Sequence, residues 1–143
     1  MKQATLLLLI LLLICTTSVF GGLGMKFWMI LPGVFLQHRE GYAALEAELF
    51  MVVFPWAEWV DVLFMPSGNL KVFFPINSNT EMYIGVGISF YLMVGYSIKP
   101  VGVLGAIVGF ERSFRDFDLS AEVYALLSKH SSVPTFRIGI EWH

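Results

Sequence analysis

The sequence predicts an all-β protein, an eight-stranded antiparallel up-and-down barrel that crosses a membrane and follows an N-terminal signal peptide. Three observations lead there. The 143 residues are 57% apolar and only 14% charged, which is too oily for a water-soluble domain. Thr80–Ile98 divides into two faces at every step. Thr80, Met82, Ile84, Val86, Ile88, Phe90, Leu92, Val94, Tyr96 and Ile98 alternate with residues that are mostly small or polar, among them Gly85, Gly87, Ser89, Gly95 and Ser97. Finally, the same alternation returns in several shorter stretches separated by turn residues, as a barrel with lipid outside and small or polar groups inside requires.

The N-terminus reads as a processing signal. Met1-Lys2-Gln3 is a short positive start, Leu6–Ile14 an unbroken apolar core, and Thr16 to Gly21 a polar-to-small exit. The apolar run is about half the ~20 residues of a helical span. Cleavage is expected after Gly21, with Val19 and Gly21 as the small residues, giving a signal peptide at 1–21 and a barrel domain at 22–143. Cys15, the only cysteine, lies within the signal and follows Ile14 rather than a small residue, so neither lipidation nor a disulfide is expected. Without Lys2 the chain is acidic and has no basic stripe, so nucleic acid is not an expected partner.

Eight strands are predicted along the mature chain. The first is Gly24–Gln37, interrupted by Pro32-Gly33, which suits a seam or a bulge. After a charged turn at His38–Gly41, Tyr42–Val53 places Glu46 and Glu48 on one face, and two glutamates on a membrane strand must point inward. Ala57–Met65 is the third, with Asp61 inward. Pro66-Ser67-Gly68-Asn69 is a strong turn signal, followed by Leu70–Ile76, the turn Asn77-Ser78-Asn79 and the central strand Thr80–Ile98. Lys99-Pro100 ends that strand; Val101–Arg112, Phe117–Ser128 and Thr135–His143 complete the set.

The last strand alternates Phe136, Ile138, Ile140 and Trp142 with Arg137, Gly139, Glu141 and His143. This resembles the C-terminal signature of bacterial outer-membrane barrels, although His143 follows the usual terminal aromatic. The pattern as a whole is similar to the small eight-stranded barrels of the OmpA transmembrane domain and OmpX class. The resemblance implies an outer-membrane protein that acts as a monomer, whose partners are the lipid bilayer and, through the last strand, the outer-membrane assembly machinery. It also implies periplasmic termini. With the strands above, the turns at 54–57, 77–80 and 112–116 then share the periplasmic end, and so do Trp28, Trp56, Trp59 and Trp142. These four are the expected interface aromatics.

Inside, Glu46, Glu48, Glu122 and Arg137 are expected near mid-depth. A narrow eight-stranded barrel fills its lumen with side chains, so these groups must satisfy one another. Arg137 is the expected centre, since a guanidinium offers five donors. Lys26 or Lys71 can supply further positive charge. The resemblance implies a charged plug and a structural or membrane-integrity role, with a gated ion path as a second possibility. No catalytic residue, metal ligand or cofactor is expected.

Three alternatives remain. Ile84–Phe110 is apolar enough for a transmembrane helix or hairpin in an inner-membrane protein, its glycines then serving helix packing. A soluble barrel holding an apolar ligand would turn the oily face inward. Finally, His130-Ser131-Ser132 with Glu141 resembles the His-x-Ser plus glutamate set of outer-membrane lipid A deacylases, but a set placed in a loop beside Pro134 fits a polar turn better.

Overall fold

A computed structural model describes residues 22–28, 31–55, 60–94, 101–127 and 132–143, with the side chains of 54–55, 60–61 and 93–94 excepted. Every regular element among them is a strand: β1 Gly22–Trp28, β2 Leu31–Glu40, β3 Ala43–Pro55, β4 Val60–Asn77, β5 Thr80–Val94, β6 Val101–Ser113, β7 Phe117–Leu127 and β8 Ser132–Trp142. Each pairs antiparallel with the next, and β1 pairs with β8 from Leu23↔Trp142 to Trp28↔Arg137, closing the barrel. Described residues of Ile84–Phe110 lie in β5 and β6, which overturns the helical alternative. The expected signal peptide lies outside the described residues.

Eight strands are present, but two boundaries differ from the predicted set. The predicted first strand is two strands, β1 and β2, on either side of 29–30. Met29 and Ile30 are not turn-forming types, so composition gives no sign of the break. Conversely, the predicted turn Pro66–Asn69 lies inside the 18-residue β4. The two errors cancel in the count. Pro66 does leave a mark: on the β5 side the ladder passes from Phe64↔Leu92 to Ser67↔Ser89, omitting Met65 and Pro66, and keeps its register. A proline has no N–H to donate, yet with Leu49↔Pro66 holding the other edge the strand continues.

Both boundaries change the ends of the barrel. The turns at 41–42, 78–79 and 114–116 lie with Gly22 and His143 at one end, called here the terminal end. The 38–41 turn was expected at the opposite one. Gly41 adopts φ +59°, which glycine reaches at little cost in a two-residue hairpin. Asn77 Oδ1 accepts the Asn79 N–H at 3.0 Å and builds the next turn. Phe114 stacks on Phe117 with ring centroids 4.8 Å apart across the third.

Side chains sort by parity. Ile84, Val86, Ile88, Phe90 and Leu92 of β5 are exposed on the outside, as are Leu45, Leu49, Met51 and Val53 of β3 and Phe136, Ile138 and Trp142 of β8. Tyr83, Ser89, Glu46, Glu48, Phe50, Arg137 and Glu141 are buried within. A wall of large apolar groups around a polar lumen is the polarity of a barrel dissolved in lipid, opposite to that of a soluble ligand carrier. Where large rings lie inside, glycine on the neighbouring strand makes room. A Cβ on Gly105 would run into the Tyr124 ring, and one on Gly109 would meet Tyr83.

Candidate functional site

The period-two pattern sends charged side chains from five strands into one layer of the lumen. Lys26 from β1, Glu46 and Glu48 from β3, Lys71 from β4, Glu122 from β7 and Arg137 from β8 are all at most 4% exposed. Only Glu122 and Arg137 are ladder partners; Glu46 and Lys71 are diagonal neighbours on the paired strands β3 and β4, and the other contacts reach across the interior. Lys26 Nζ lies 2.9 Å from Glu46 and 3.3 Å from Glu122, and it also donates to Glu48. Lys71 Nζ lies 2.8 Å from Glu46 and 3.3 Å from Glu122. Arg137 Nη1 lies 2.8 Å from Glu48 and 3.6 Å from Glu122. Three cations therefore face three carboxylates, and each carboxylate touches two cations or more.

Neutral groups complete the layer. Ser67 donates to Glu48 at 2.8 Å, Asn69 Nδ2 to Glu46 at 3.0 Å, and the Tyr83 hydroxyl to Glu122 at 2.8 Å. Aromatic faces cover the cations: Arg137 lies 3.8 Å from the Tyr124 ring centroid and 5.1 Å from that of Phe50, Lys26 lies 4.8 Å from Phe35, and Lys71 lies 4.7 Å from Tyr83. Ring faces are negative, so they compensate part of the desolvation of the charges.

The structure brings Glu46, Glu48, Glu122 and Arg137 together, but Lys26 is the group that touches all three carboxylates. Ser67 and Asn69 were hidden in what reads as a turn. Two signals were available: Lys26 shares its parity with Gly22 and Gly24, and Lys71 shares its parity with Ser67 and Asn69. Asp61 belongs to β4, but its side chain is outside the described set.

The tryptophans separate. Trp142 is exposed on the outer wall at the terminal end. Trp28 ends β1 at the far end and turns into the lumen, meeting Phe50 edge-on at 5.9 Å and lying 5.5 Å from Arg137. It is thus neither at the terminal end nor on the lipid face, because the break at 29–30 halves the strand it was assigned to and its parity is that of Lys26. Trp56 and Trp59 lie outside the described residues. So do His130 and Ser131, while Ser132 and Glu141 stand at opposite ends of β8.

A second polar group occupies the terminal mouth, where Gly22, Gln37, Arg39, Glu111, Asp118, Glu141 and His143 line a recess of about 330 Å³. Arg39 grips Glu81 with both terminal nitrogens, at 2.6 and 2.8 Å, lies 3.6 Å from Glu111 and covers the Phe73 ring at 4.2 Å. His143 Nε2 lies 3.1 Å from Asp118. Sequence reasoning did not single out this group.

Solved structures share this architecture. The N-terminal β-barrel domain of Pseudomonas aeruginosa OprF superposes with a TM-score of 0.64 at 10% identity, over 85% of this chain and 93% of that one. The fold is that of the small eight-stranded outer-membrane barrels. Neisserial surface protein A, NspA, gives 0.57 at 11% identity over 85% and 91%. The Yersinia pestis outer membrane protein Ail in a phospholipid bilayer nanodisc gives 0.54 at 10% over 85% and 96%. No protein-family model and no curated protein matches the sequence.

Proposed function

We propose that the chain is an outer-membrane barrel of a two-membrane bacterium, processed after Gly21, with a structural or membrane-integrity role and a lumen closed by its charged layer. The observation that carries this reading is Lys26 bound to three carboxylates, two of which also hold Lys71 and two Arg137. Such a layer blocks the lumen at no net charge. Short connections favour a barrel whose work is done by the wall. The turns at the terminal end span 41–42, 78–79 and 114–116, and no two consecutive described strands are separated by more than six residues in sequence. The exposed apolar wall supports a bilayer environment, and the alternating last strand supports recognition by the outer-membrane assembly machinery. The chain acts as a monomer.

Reconstitution in liposomes and planar bilayers tests the plug. The mature protein should give no uptake of small sugars and no stable conductance, whereas Lys26→Ala, which opens the centre of the layer, should give measurable ion flux. Stable open-pore conductance from the unaltered protein would overturn the reading.

A further inference from the structure

At the terminal mouth the carboxylates outnumber the cations that reach them. Glu81 and Glu111 share Arg39, and Asp118 has His143. Glu141 has neither. It is 8% exposed, it lines the recess, and its Oε2 has no hydrogen-bond partner among the described residues. A buried carboxylate in that position needs a donor. No set of three His, Cys, Asp or Glu side chains among the described residues is arranged to hold a metal ion.

The carboxylate does have a neighbour, the backbone of Gly22. A Cβ built on Gly22 would lie only 1.7 Å from Glu141 Oε1, so the carboxylate rests against the Gly22 α-carbon, one bond from its nitrogen. Gly22 is also the residue at which the mature chain is expected to begin. Hydrolysis of the Gly21–Gly22 bond adds water across it. The hydroxyl goes to the Gly21 carbonyl and a hydrogen to the Gly22 nitrogen, which takes a further proton from solvent at neutral pH.

We propose that the α-ammonium group created at Gly22 is the counter-ion of Glu141, an ion pair that pins the first strand to the last at the barrel seam. It rests on cleavage after Gly21. The pair joins β1 to β8 beside Gly24↔Glu141, the ladder that closes the sheet. The charged groups near it on the other strands are Arg39 of β2, Glu46 of β3, Lys71 of β4, Glu81 of β5, Glu111 of β6 and Asp118 of β7, with His143 at the chain end. Glycine at position 22 then has two reasons: it leaves space for the carboxylate, and it suits the processing site.

The N-terminal mass of protein purified from outer membranes tests the processing separately, and any start other than Gly22 overturns the proposal. The pair itself is read from unfolding rates in urea, followed by the gel shift between folded and unfolded forms. Three forms are compared, starting at Gly22, starting at Gly22 with the amine acetylated, and retaining one extra glycine, each in wild type and in Glu141→Gln. Blocking or displacing the ammonium should speed unfolding roughly five- to tenfold in wild type, the rate equivalent of losing one partly buried charge pair, and leave Glu141→Gln unchanged. Equal rates for the three wild-type forms, or equal acceleration in both backgrounds, overturn the proposal. Should Glu141→Gln fail to fold, the wild-type amine decides the question. Amine-acylating reagent at neutral pH should modify it much more slowly in the folded than in the unfolded protein, and equal reactivity would count against the pair.

Discussion

Arg137 Nη1 and Glu48 Oε2 meet at 2.8 Å although the two residues are 89 positions apart in sequence. Neither side chain reaches water, and their strands are not neighbours in the sheet. Removing the guanidinium leaves Glu48 with Lys26 and Ser67. Arg137→Ala should therefore destabilise the folded barrel by about 3–5 kcal/mol, the scale for breaking a buried pair. Urea titrations in lipid should also show Glu48→Gln recovering part of that loss, with a coupling of about 1–3 kcal/mol. Additive penalties would mean the two groups do not depend on one another.

Lys26 is the more demanding position. It serves three carboxylates, so Lys26→Met should cost at least as much as Arg137→Ala, about 3–5 kcal/mol. Lys26→Arg, which keeps the charge in a broader and more rigid head, should not fully rescue. Stability equal to wild type in Lys26→Met would remove Lys26 from the centre of the layer.

Outer and inner faces of β5 should respond to different properties of a substituent. Val86 is 62% exposed on the wall, and Val86→Arg near the bilayer midplane should cost about 2–4 kcal/mol. Ser89 is buried with its hydroxyl 3.0 Å from that of Tyr124, so substitutions there should scale with side-chain volume. Folding titrations in which Val86→Arg and Val86→Ala are tolerated equally would reverse the two faces.

Gly105 lies under the Tyr124 ring. Gly105→Ala should cost about 1–3 kcal/mol by overpacking, and the penalty should shrink when Tyr124→Ala removes the ring. An undiminished penalty in the double variant would trace the effect to the backbone.

Lipid quenchers can separate the tryptophans. In single-tryptophan variants, Trp142 should be quenched by spin-labelled lipid, since it stands on the outer wall, whereas Trp28, between Phe50 and Arg137 inside, should be protected. Comparable quenching of the two would place Trp28 on the wall.

Alternation was legible because lipid and lumen demand opposite side chains at every second position, and it located the faces of β3, β5 and β8. Boundaries were less legible because turn chemistry and lumen chemistry draw on the same residues. Ser67 and Asn69 look like turn residues, but they are inside because Glu48 and Glu46 need donors. The end of β1 at Trp28 fails in the opposite sense, since no turn-forming residue directly follows it in the sequence. Glu46, Glu48, Glu122 and Arg137 could be placed by parity alone. That Lys26, rather than Arg137, is the common partner depends on how strands separated in sequence come together around the barrel, and a period-two pattern does not contain that information.

The charged layer draws its members from β1, β3, β4, β7 and β8, so neither half of the chain holds the whole set, and Glu48 and Glu122 each take cations from both halves. A sheet lacking β8 leaves Glu48 without its guanidinium, and one that has not yet joined β1 lacks the ammonium shared by all three carboxylates. Either intermediate would carry surplus negative charge, which resists transfer out of water. The full set of ion pairs thus forms only when the final strand closes on the first, making closure of the wall and dehydration of the lumen a single cooperative event.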